Sequence, residues 1–329
     1  MRAVITGSNG FVGRNLACAL HAAGAEVFGV TRPLHPDGKD AGWGDRPREY
    51  RWDISQAAPA ELIAAIEGFS PTHVFHFAAI SRVKDCGYRQ PNALAQSVNV
   101  EGTRRAIEIA SRIKPVPRFL FASTSYVYAP KGGEPLCRES DPCEPTTGYG
   151  VTKLAGEAMT HEAAAAGAIQ GVVVRPFHHT GPGQSVGYVL PDWVAQIARG
   201  ESPLKVRTLK FTIDLSDIRD AVRAYRMLAE RDVTGTFNLG AGVRRSGAEL
   251  VAAISAAAAD PLGGGAPLSV IETHAGEDPA GRVRHNPAAD IEKIAAAIGW
   301  RPEIPFEQTV ADTLEYWRHR LNPEPKATG

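Results

Sequence analysis

The chain has 329 residues and balances 36 basic against 36 acidic side chains, so its formal net charge is zero and nothing global draws it to nucleic acid or an anionic membrane. Cys18, Cys86, Cys137 and Cys143 show neither CxxC nor metal-ligand spacing, which predicts reduced thiols and no metal site. The N-terminal Met-Arg-Ala-Val-Ile-Thr-Gly lacks a signal-peptide apolar run, and the Ala-rich stretch 250–259 is too short to span a bilayer; we expect a soluble, cytoplasmic protein.

Residues 2–6 read as a short buried strand. Gly7-Ser8-Asn9-Gly10-Phe11-Val12-Gly13 follows, and apolar residues at helical spacing run on to Leu20, with Gly24 ending the helix. The glycines therefore sit on a strand-to-helix turn, where missing side chains let the backbone approach a pyrophosphate and the helix N-terminus offers free N–H groups. A second strand, 25–31, ends in Thr31-Arg32. With an arginine and no acid at this tip, a cofactor with a ribose 2′-phosphate is favoured, so NADP(H) is preferred and NAD(H) remains possible.

Residues 33–48 read as a Pro/Gly/Asp-rich loop, 50–54 as a short strand ending near Asp53 and Ile54, and 59–68 as a helix. The apolar run 73–79 predicts a parallel-sheet strand, 92–113 a helix containing Asn99, and 117–122 another strand with Ser123-Thr124-Ser125 at its C-terminal end. Ligands bind at that end of an open α/β sheet. His73 and His76 flank a buried strand and read as structural histidines. The alternation to residue 175 predicts an α/β fold: a doubly wound parallel sheet (Rossmann) with a smaller C-terminal α/β substrate-binding lobe. The expected division is 1–175 for the cofactor, 176–322 for the substrate with the chain crossing back, and a flexible tail at 323–329. In the second part, helices are expected at 191–199, 216–230, after a Ser246–Glu249 capping box, and at 287–298 and 305–320, with strands at 204–214 and 236–239.

Tyr149 and Lys153 lie four apart, one turn from each other on a helix face. An ammonium beside a phenol favours the phenolate and lowers its pKa, which makes Tyr149 a candidate proton donor and acceptor.

Together, Thr6-Gly7-Ser-Asn-Gly10-Phe-Val-Gly13, Asp53-Ile54, Phe77-Ala78-Ala79, Asn99-Val-Glu-Gly-Thr103, Ser123-Thr124, Tyr149-x3-Lys153 and Arg175-Pro176-Phe177 resemble the extended short-chain dehydrogenase/reductases (the NAD-dependent epimerase/dehydratase family), which modify nucleotide sugars. The likeness covers residues 1–320. It implies Thr124, Tyr149 and Lys153 as catalytic: Thr124 bonded to the substrate oxygen, Tyr149 exchanging the proton, and Lys153 lowering the tyrosine pKa and holding the nicotinamide ribose. It implies cofactor contacts from Gly7, Asn9, Gly10, Phe11, Val12, Gly13, Arg32, Asp53, Ile54, Phe77, Ala78, Ala79, Asn99 and Pro176, with Asn99 fixing the active-site backbone or a proton-relay water. It implies substrate contacts from Ser81, Ser125, His178, His179, Leu190, Arg207 and Arg284, and a homodimer through a four-helix bundle of 92–113 and 149–166.

Within the family, Arg175-Pro-Phe-His178-His179-Thr-Gly-Pro-Gly-Gln184 and Ile213-Asp-Leu-Ser-Asp217-Ile-Arg-Asp220 resemble segments of GDP-4-keto-6-deoxymannose reductases. Two positions depart from that pattern. His178 stands where an asparagine faces substrate, and Ile213 where an arginine grips the nucleotide phosphates; Arg207, Lys210, Arg282 or Arg284 could supply that charge instead. The base is therefore left open between GDP and dTDP. After Thr124 come Ser125 and Tyr126, with no carboxylate to drive the elimination of a 4,6-dehydratase. The expected activity is an NADP(H)-dependent reduction of a nucleotide-linked 4-keto-6-deoxyhexose to a 6-deoxyhexose nucleotide for glycan or polysaccharide synthesis. The alternative is a nucleotide-sugar epimerase with tightly bound NAD. A non-catalytic cofactor-binding protein is disfavoured because both Tyr149 and Lys153 are present.

Overall fold

The computed structural model describes residues 1–32, 49–129, 136–259, 268–274 and 284–321. The expected loop 33–48 and the expected tail lie outside the described residues. The chain begins with β1 (Arg2–Thr6), α1 (Phe11–Ala22), β2 (Glu26–Thr31), β3 (Glu49–Arg51), α2 (Ala60–Phe69), β4 (His73–His76) and α3 (Val83–Cys86). Next come α4 (Ala93–Ala95), a π-helical stretch (Gln96–Glu101) that leads straight into α5 (Gly102–Ser111), then β5 (Arg118–Ala122), β6 (Leu136–Cys137), α6 (Gly148–Ala165) and β7 (Gln170–Pro176). The rest forms β8 (His178–Thr180), α7 (Val189–Ala198), β9 (Leu204–Val206), β10 (Phe211–Asp217), α8 (Ile218–Glu230), β11 (Gly235–Leu239), β12 (Arg244–Ser246) and α9 (Gly247–Ala258). It ends with β13 (Val270–Glu272), β14 (Arg284–His285), β15 (Ala288–Ala289), α10 (Glu292–Ile298) and α11 (Phe306–Leu321).

The apolar runs of the first half are explained by burial on two faces. Seven strands pair in the order β11-β7-β5-β4-β1-β2-β3, and every pairing is parallel. Successive strand residues point to opposite faces. Ala3, Ile5, Phe75, Leu120 and Val172 pack under α1, α8 and α10, while Val4, Phe28, Val74, Phe119 and Phe121 pack under α2, α5 and α6. This is the expected doubly wound sheet. The chain crosses back to it after β10: α8 lies on α1, and β11 extends the sheet beyond β7.

The smaller lobe is built on β10, which pairs antiparallel with β12 and parallel with β8 and β14. Its core joins Leu190, Trp193, Leu204, Ile213, Leu250, Val310 and Leu314. The expected capping box is present, with Ser246 and Glu249 bonding each other's backbone N–H. No helix among the described residues is long and apolar enough to cross a membrane.

Four expectations change. The strand expected at 73–79 stops at His76, because Phe77 and Ala78 turn back to bond Thr6. The one expected at 50–54 stops at Arg51, and Asp53 opens a turn closed by Ser55 and Gln56. The helix expected from 287 begins at Glu292: Ala288 and Ala289 pair with β6, and the Asp290 carboxylate accepts the Glu292 N–H at 3.1 Å. The helix expected at 92–113 is interrupted by the π-helical stretch around Asn99.

Gly156 fixes how closely α6 lies on the sheet. A Cβ there would come within 2.3 Å of Cζ of Phe121. Gly156→Ala should therefore overpack this seam and cost about 1–3 kcal/mol, read as a fall in the urea unfolding midpoint, whereas alanine at exposed Gly68, where nothing lies within 4 Å, should be neutral or mildly stabilising.

Candidate active site

The glycine turn closes because it lacks side chains. Gly7 has φ +71°, and a Cβ on it would meet the Ala78 backbone nitrogen at 2.8 Å; one on Gly13 would meet the Gly7 carbonyl oxygen at 2.3 Å. Gly10 caps α1 with no side chain over the helix end. The first-turn N–H groups and the positive end of the helix dipole thus face the cleft, as an anionic pyrophosphate requires. A side chain at Gly7 or Gly13 would fill this cradle, and its glycine backbone fits a dinucleotide cofactor.

Across the sheet, Thr124 and Tyr149 converge from the C-terminal end of β5 and the first turn of α6. Thr147 caps that helix, accepting the Gly150 N–H at 3.1 Å. The flanking glycines let the turn sit against other backbones: a Cβ on Gly148 would lie 2.7 Å from the Cys86 carbonyl oxygen, and one on Gly150 2.3 Å from that of Tyr126. Tyr149 is held between these contacts, its side chain close to that of Thr124.

Burial pushes the Tyr149 phenol well above its ordinary value, and the neighbouring Thr124 hydroxyl opposes this. The acidification by Lys153 expected from spacing is thus not the dominant effect in the protein alone, since desolvation penalises the phenolate more. Lys153 is buried one turn on, its ammonium 4.7 Å from the centre of the Phe121 ring, and burial brings it down to about 8.

Asn99 lies behind this pair, buried in the π-helical stretch. Its Oδ1 accepts the Ile80 N–H at 2.8 Å, and its Nδ2 donates to the Ile80 carbonyl and to the Thr152 hydroxyl, both at 3.0 Å. It clamps the backbone after β4 to α6. His76 is a satisfied structural histidine, with Nδ1 2.7 Å from the Thr6 hydroxyl and Nε2 3.0 Å from that of Thr103. His73 is bonded to Thr72 and to the Ala229 carbonyl.

One cleft of about 1650 Å³ runs from the glycine turn past Tyr149 to the smaller lobe. This exceeds the ~300–1,000 Å³ of ordinary small-molecule sites. Of the expected residues, its wall brings together Gly7, Gly10, Phe11, Val12, Gly13, Phe77, Ala79, Ser81, Thr124, Ser125, Tyr149, Lys153, Pro176, His178, His179, Leu190 and Arg207. Asn9, Arg32, Asp53, Ile54, Ala78 and Asn99 are not on it. Arg32 is exposed at the end of β2. Asp53 is exposed and accepts both the N–H and the hydroxyl of Ser55, while Ile54 packs against Gly102. Arg284 lies on β14 opposite Phe211, and Arg282 is outside the described residues.

His178 and His179 are drawn onto the wall by β8, which pairs with β10. Burial holds both down to about 4. His179 Nδ1 is 2.7 Å from the Ser216 hydroxyl, and the His178 ring stands edge-on to Tyr126, which in turn stands edge-on to Tyr149. Sequence reasoning missed Tyr126 as a wall residue, although it follows Thr124 by two positions. It also missed Arg82, whose guanidinium donates to the Val186 carbonyl at 3.0 Å and lies 5.5 Å from the centre of the Tyr188 ring, bridging the cleft mouth. No local pattern marks that contact, which joins residues about a hundred apart in sequence.

A glycine-cradled helix N-terminus, a buried Thr-Tyr-Lys set and a long cleft over a parallel sheet define a dinucleotide-dependent enzyme of carbonyl and alcohol groups. The chain belongs to the NAD dependent epimerase/dehydratase family, whose model matches residues 3–240. It is 26% identical to a GDP-6-deoxy-D-mannose reductase of Pseudomonas aeruginosa, over 98% of this chain and 99% of that protein. It is 28% identical to a dTDP-6-deoxy-L-talose 4-dehydrogenase (NAD(P)(+)) of Kitasatospora kifunensis, over 94% of each. UDP-glucose 4-epimerases and a dTDP-glucose 4,6-dehydratase match at similar identity. Among solved structures, MoeE5 in complex with UDP-glucose and NAD superposes with a TM-score of 0.77 at 26% identity, covering 98% of this chain and all of that one. The protein is thus an NAD(P)-dependent enzyme of nucleotide-sugar chemistry.

The two wall histidines make the fold acid-sensitive. Each stays neutral in the folded protein down to about pH 4, while the unfolded chain takes up a proton near 6.5. Their stabilisation is therefore complete above pH 6.5 and is lost as pH falls towards 4. Asp214, pushed up to about 6 by burial, acts in the opposite sense below that pH. Comparing a variant with wild type isolates the histidine: His179→Gln should reduce the loss of unfolding free energy between pH 7 and pH 5 by roughly 1–2 kcal/mol.

Proposed function

We propose that the protein is an NADP(H)-dependent reductase of a nucleotide-linked 4-keto-6-deoxyhexose. The observation that carries this reading is the meeting of Thr124, Tyr149 and Lys153 on a cleft with the glycine turn at one end and cationic side chains at the other. Ser125 and Tyr126 follow Thr124 where an elimination would call for a carboxylate, which speaks against dehydration. The full-length likeness to a GDP-6-deoxy-D-mannose reductase supports the same substrate class.

In this reading residues 1–175 mainly hold the cofactor and 176–322 mainly the sugar nucleotide. Gly7, Gly10 and Gly13 cradle the pyrophosphate, and Arg32 at the tip of β2 pairs with a 2′-phosphate. When bound, the nicotinamide supplies the hydride. Thr124 donates to the sugar carbonyl oxygen, and Tyr149 passes its proton to the same oxygen as negative charge develops there. Lys153 stabilises the phenolate left behind, and Asn99 keeps α6 and the Ile80 backbone in place. Fixed donors aimed at developing charge are the main catalytic device here.

Ile213 is buried in the smaller lobe and offers no charge. Arg199, Lys205, Arg207 and Lys210 line the cleft on that side, so the diphosphate is assigned to this cluster. Arg207→Ala should raise KM roughly tenfold with little change in kcat, because a phosphate contact made equally in ground and transition states affects binding alone.

The reading is tested by following NADPH oxidation with GDP- and dTDP-4-keto-6-deoxyhexoses. Tyr149→Phe should slow turnover by about 10²–10⁴-fold with folding intact. No oxidation with either substrate rejects the reductase. The similar identity to UDP-glucose 4-epimerases favours a second reading, epimerisation with recycled NAD. Stoichiometric NAD released on denaturing freshly purified protein, with none needed for turnover, would establish it. We place the enzyme in the cytoplasm as a homodimer through a four-helix bundle of 92–113 and 149–166 from each copy, for which light scattering should give twice the chain mass.

A further inference from the structure

Between β8 and α7 the chain runs Gly181-Pro-Gly-Gln-Ser-Val-Gly187-Tyr188, and Gln184 to Tyr188 line the cleft. This segment is rooted in the smaller lobe. Gln184 Oε1 accepts the Thr180 hydroxyl at 2.7 Å and its Nε2 donates to the His179 carbonyl at 3.0 Å, while the Asp192 carboxylate of α7 accepts the Gly187 N–H at 2.5 Å. Two arginines grip it from the cofactor side. Arg14, on α1 directly after Gly13, donates to the Gly183 carbonyl at 3.0 Å. Arg82, beyond the end of β4, donates to the Val186 carbonyl and lies against the Tyr188 ring, whose hydroxyl is 3.4 Å from that of Ser81. Each arginine meets a glycine in the left-handed region. A Cβ on Gly183 (φ +87°) would come within 2.5 Å of Arg14 Nη2, and one on Gly187 (φ +99°) within 2.7 Å of Arg82 Nη2. Ser185, Val186 and Gly187 are exposed, so the tip has no buried apolar side chain to pin it.

We infer that residues 183–188 form a strap that keeps the dinucleotide in its cleft, and that Arg14 and Arg82 are the latch that sets how fast the dinucleotide enters and leaves. The inference rests on the reading that the glycine turn holds a dinucleotide, and not on which sugar reacts. One crossing of the strap meets α1 a residue after the glycine turn. The other meets the segment after β4, at the end of the sheet where ligands bind. Hydrogen bonds from two long, flexible side chains break and re-form readily, as a gate requires, and small residues under each of them can absorb the backbone change. Every contact of the latch joins protein groups, so it holds alike with and without a ligand. Entry and exit then scale with the same open fraction, and the affinity stays where it was. A cofactor exchanged at every turnover needs a latch that yields quickly, whereas a recycled one is served by a latch that does not.

The experiment is stopped-flow fluorescence of NADPH with the full-length protein and no sugar present. Mixing gives the association rate constant, and displacement by excess NADP⁺ gives the dissociation rate constant. Arg82→Met should raise both about tenfold and leave Kd within about threefold of wild type, the scale of one lost hydrogen bond to a charged group. Gly187→Ala, which pushes the guanidinium off from the strap side, should do the same. The double variant should match either single one, because both changes break one contact. Gly299→Ala, at a left-handed glycine with nothing within 4 Å, should change neither rate constant. A faster exit with unchanged entry marks Arg82 as a direct ligand contact and overturns the inference. So does a lowered melting temperature with both rate constants unmoved, the mark of a plain structural tie, and so do effects that multiply in the double variant. If Gly187→Ala does not fold, Arg82→Met decides alone by the same criteria. Turnover is read separately. Protein that shows these rates but reduces no keto sugar refutes the proposed reaction and leaves the latch standing, whereas an active enzyme with unmoved rates refutes the latch alone.

Discussion

The helix that carries Tyr149 and Lys153 reaches its place only because three of its residues lack a side chain. Gly148 and Gly150 let its first turn lie on the backbones of Cys86 and Tyr126, and Gly156 lets its middle lie on Phe121. The close approach sets the depth of Tyr149 and Lys153 in the protein, and depth sets their proton affinities, since burial is the largest influence on both. The same constraint brings Glu157 to Arg175 and Ser123, and so joins α6 to β7 and to the end of β5. Packing and chemistry at this seam are one problem.

Much of this was legible in the sequence, and for identifiable reasons. A doubly buried parallel strand leaves an unbroken apolar run, so β1, β2, β5 and β7 stand out. The glycine turn is legible because backbone crowding at Gly7 and Gly13 admits no other residue. Tyr149 and Lys153 are legible because helical spacing fixes their relation. Local reading failed where a distant partner decides. The strand at His73 ends early because Thr6 captures Ala78, and residues 288–289 become strand because β6 is there to pair with them. Spacing alone also misjudged the environment of Tyr149, because the cost of burial depends on Cys86, Thr124 and the rest of the wall.

The smaller lobe shows the limits in another way. Its motif residues are divided between structure and cleft. Asp217 caps α8 and pairs with Arg219, which also reaches Asp312, so neither lines the cleft. Asp214 accepts three backbone N–H groups, from Ala241, Gly242 and Ala289, and serves as a junction for loops rather than a ligand. His178 and His179 reach the wall through the register of β8 on β10.

The π-helical stretch at Gln96–Glu101 gives α4 and α5 one residue more than regular winding would need. Within it, Asn99 holds Ile80 and Thr152, and four residues later Thr103 bonds both the Asn99 carbonyl and His76. Deleting a single residue here would restore regular winding and keep the turns on either side in phase, but it would reset the residues inside the stretch. Asn99, inside it, would then swing away from Ile80 and Thr152, whereas Thr103, on the regular winding beyond, would stay beside His76. The helix is thus locked in phase at two points, and the surplus residue cannot be trimmed without giving up one of them. Shortening this helix while keeping both contacts would take the removal of several residues together, beyond Thr103, where the winding is already regular.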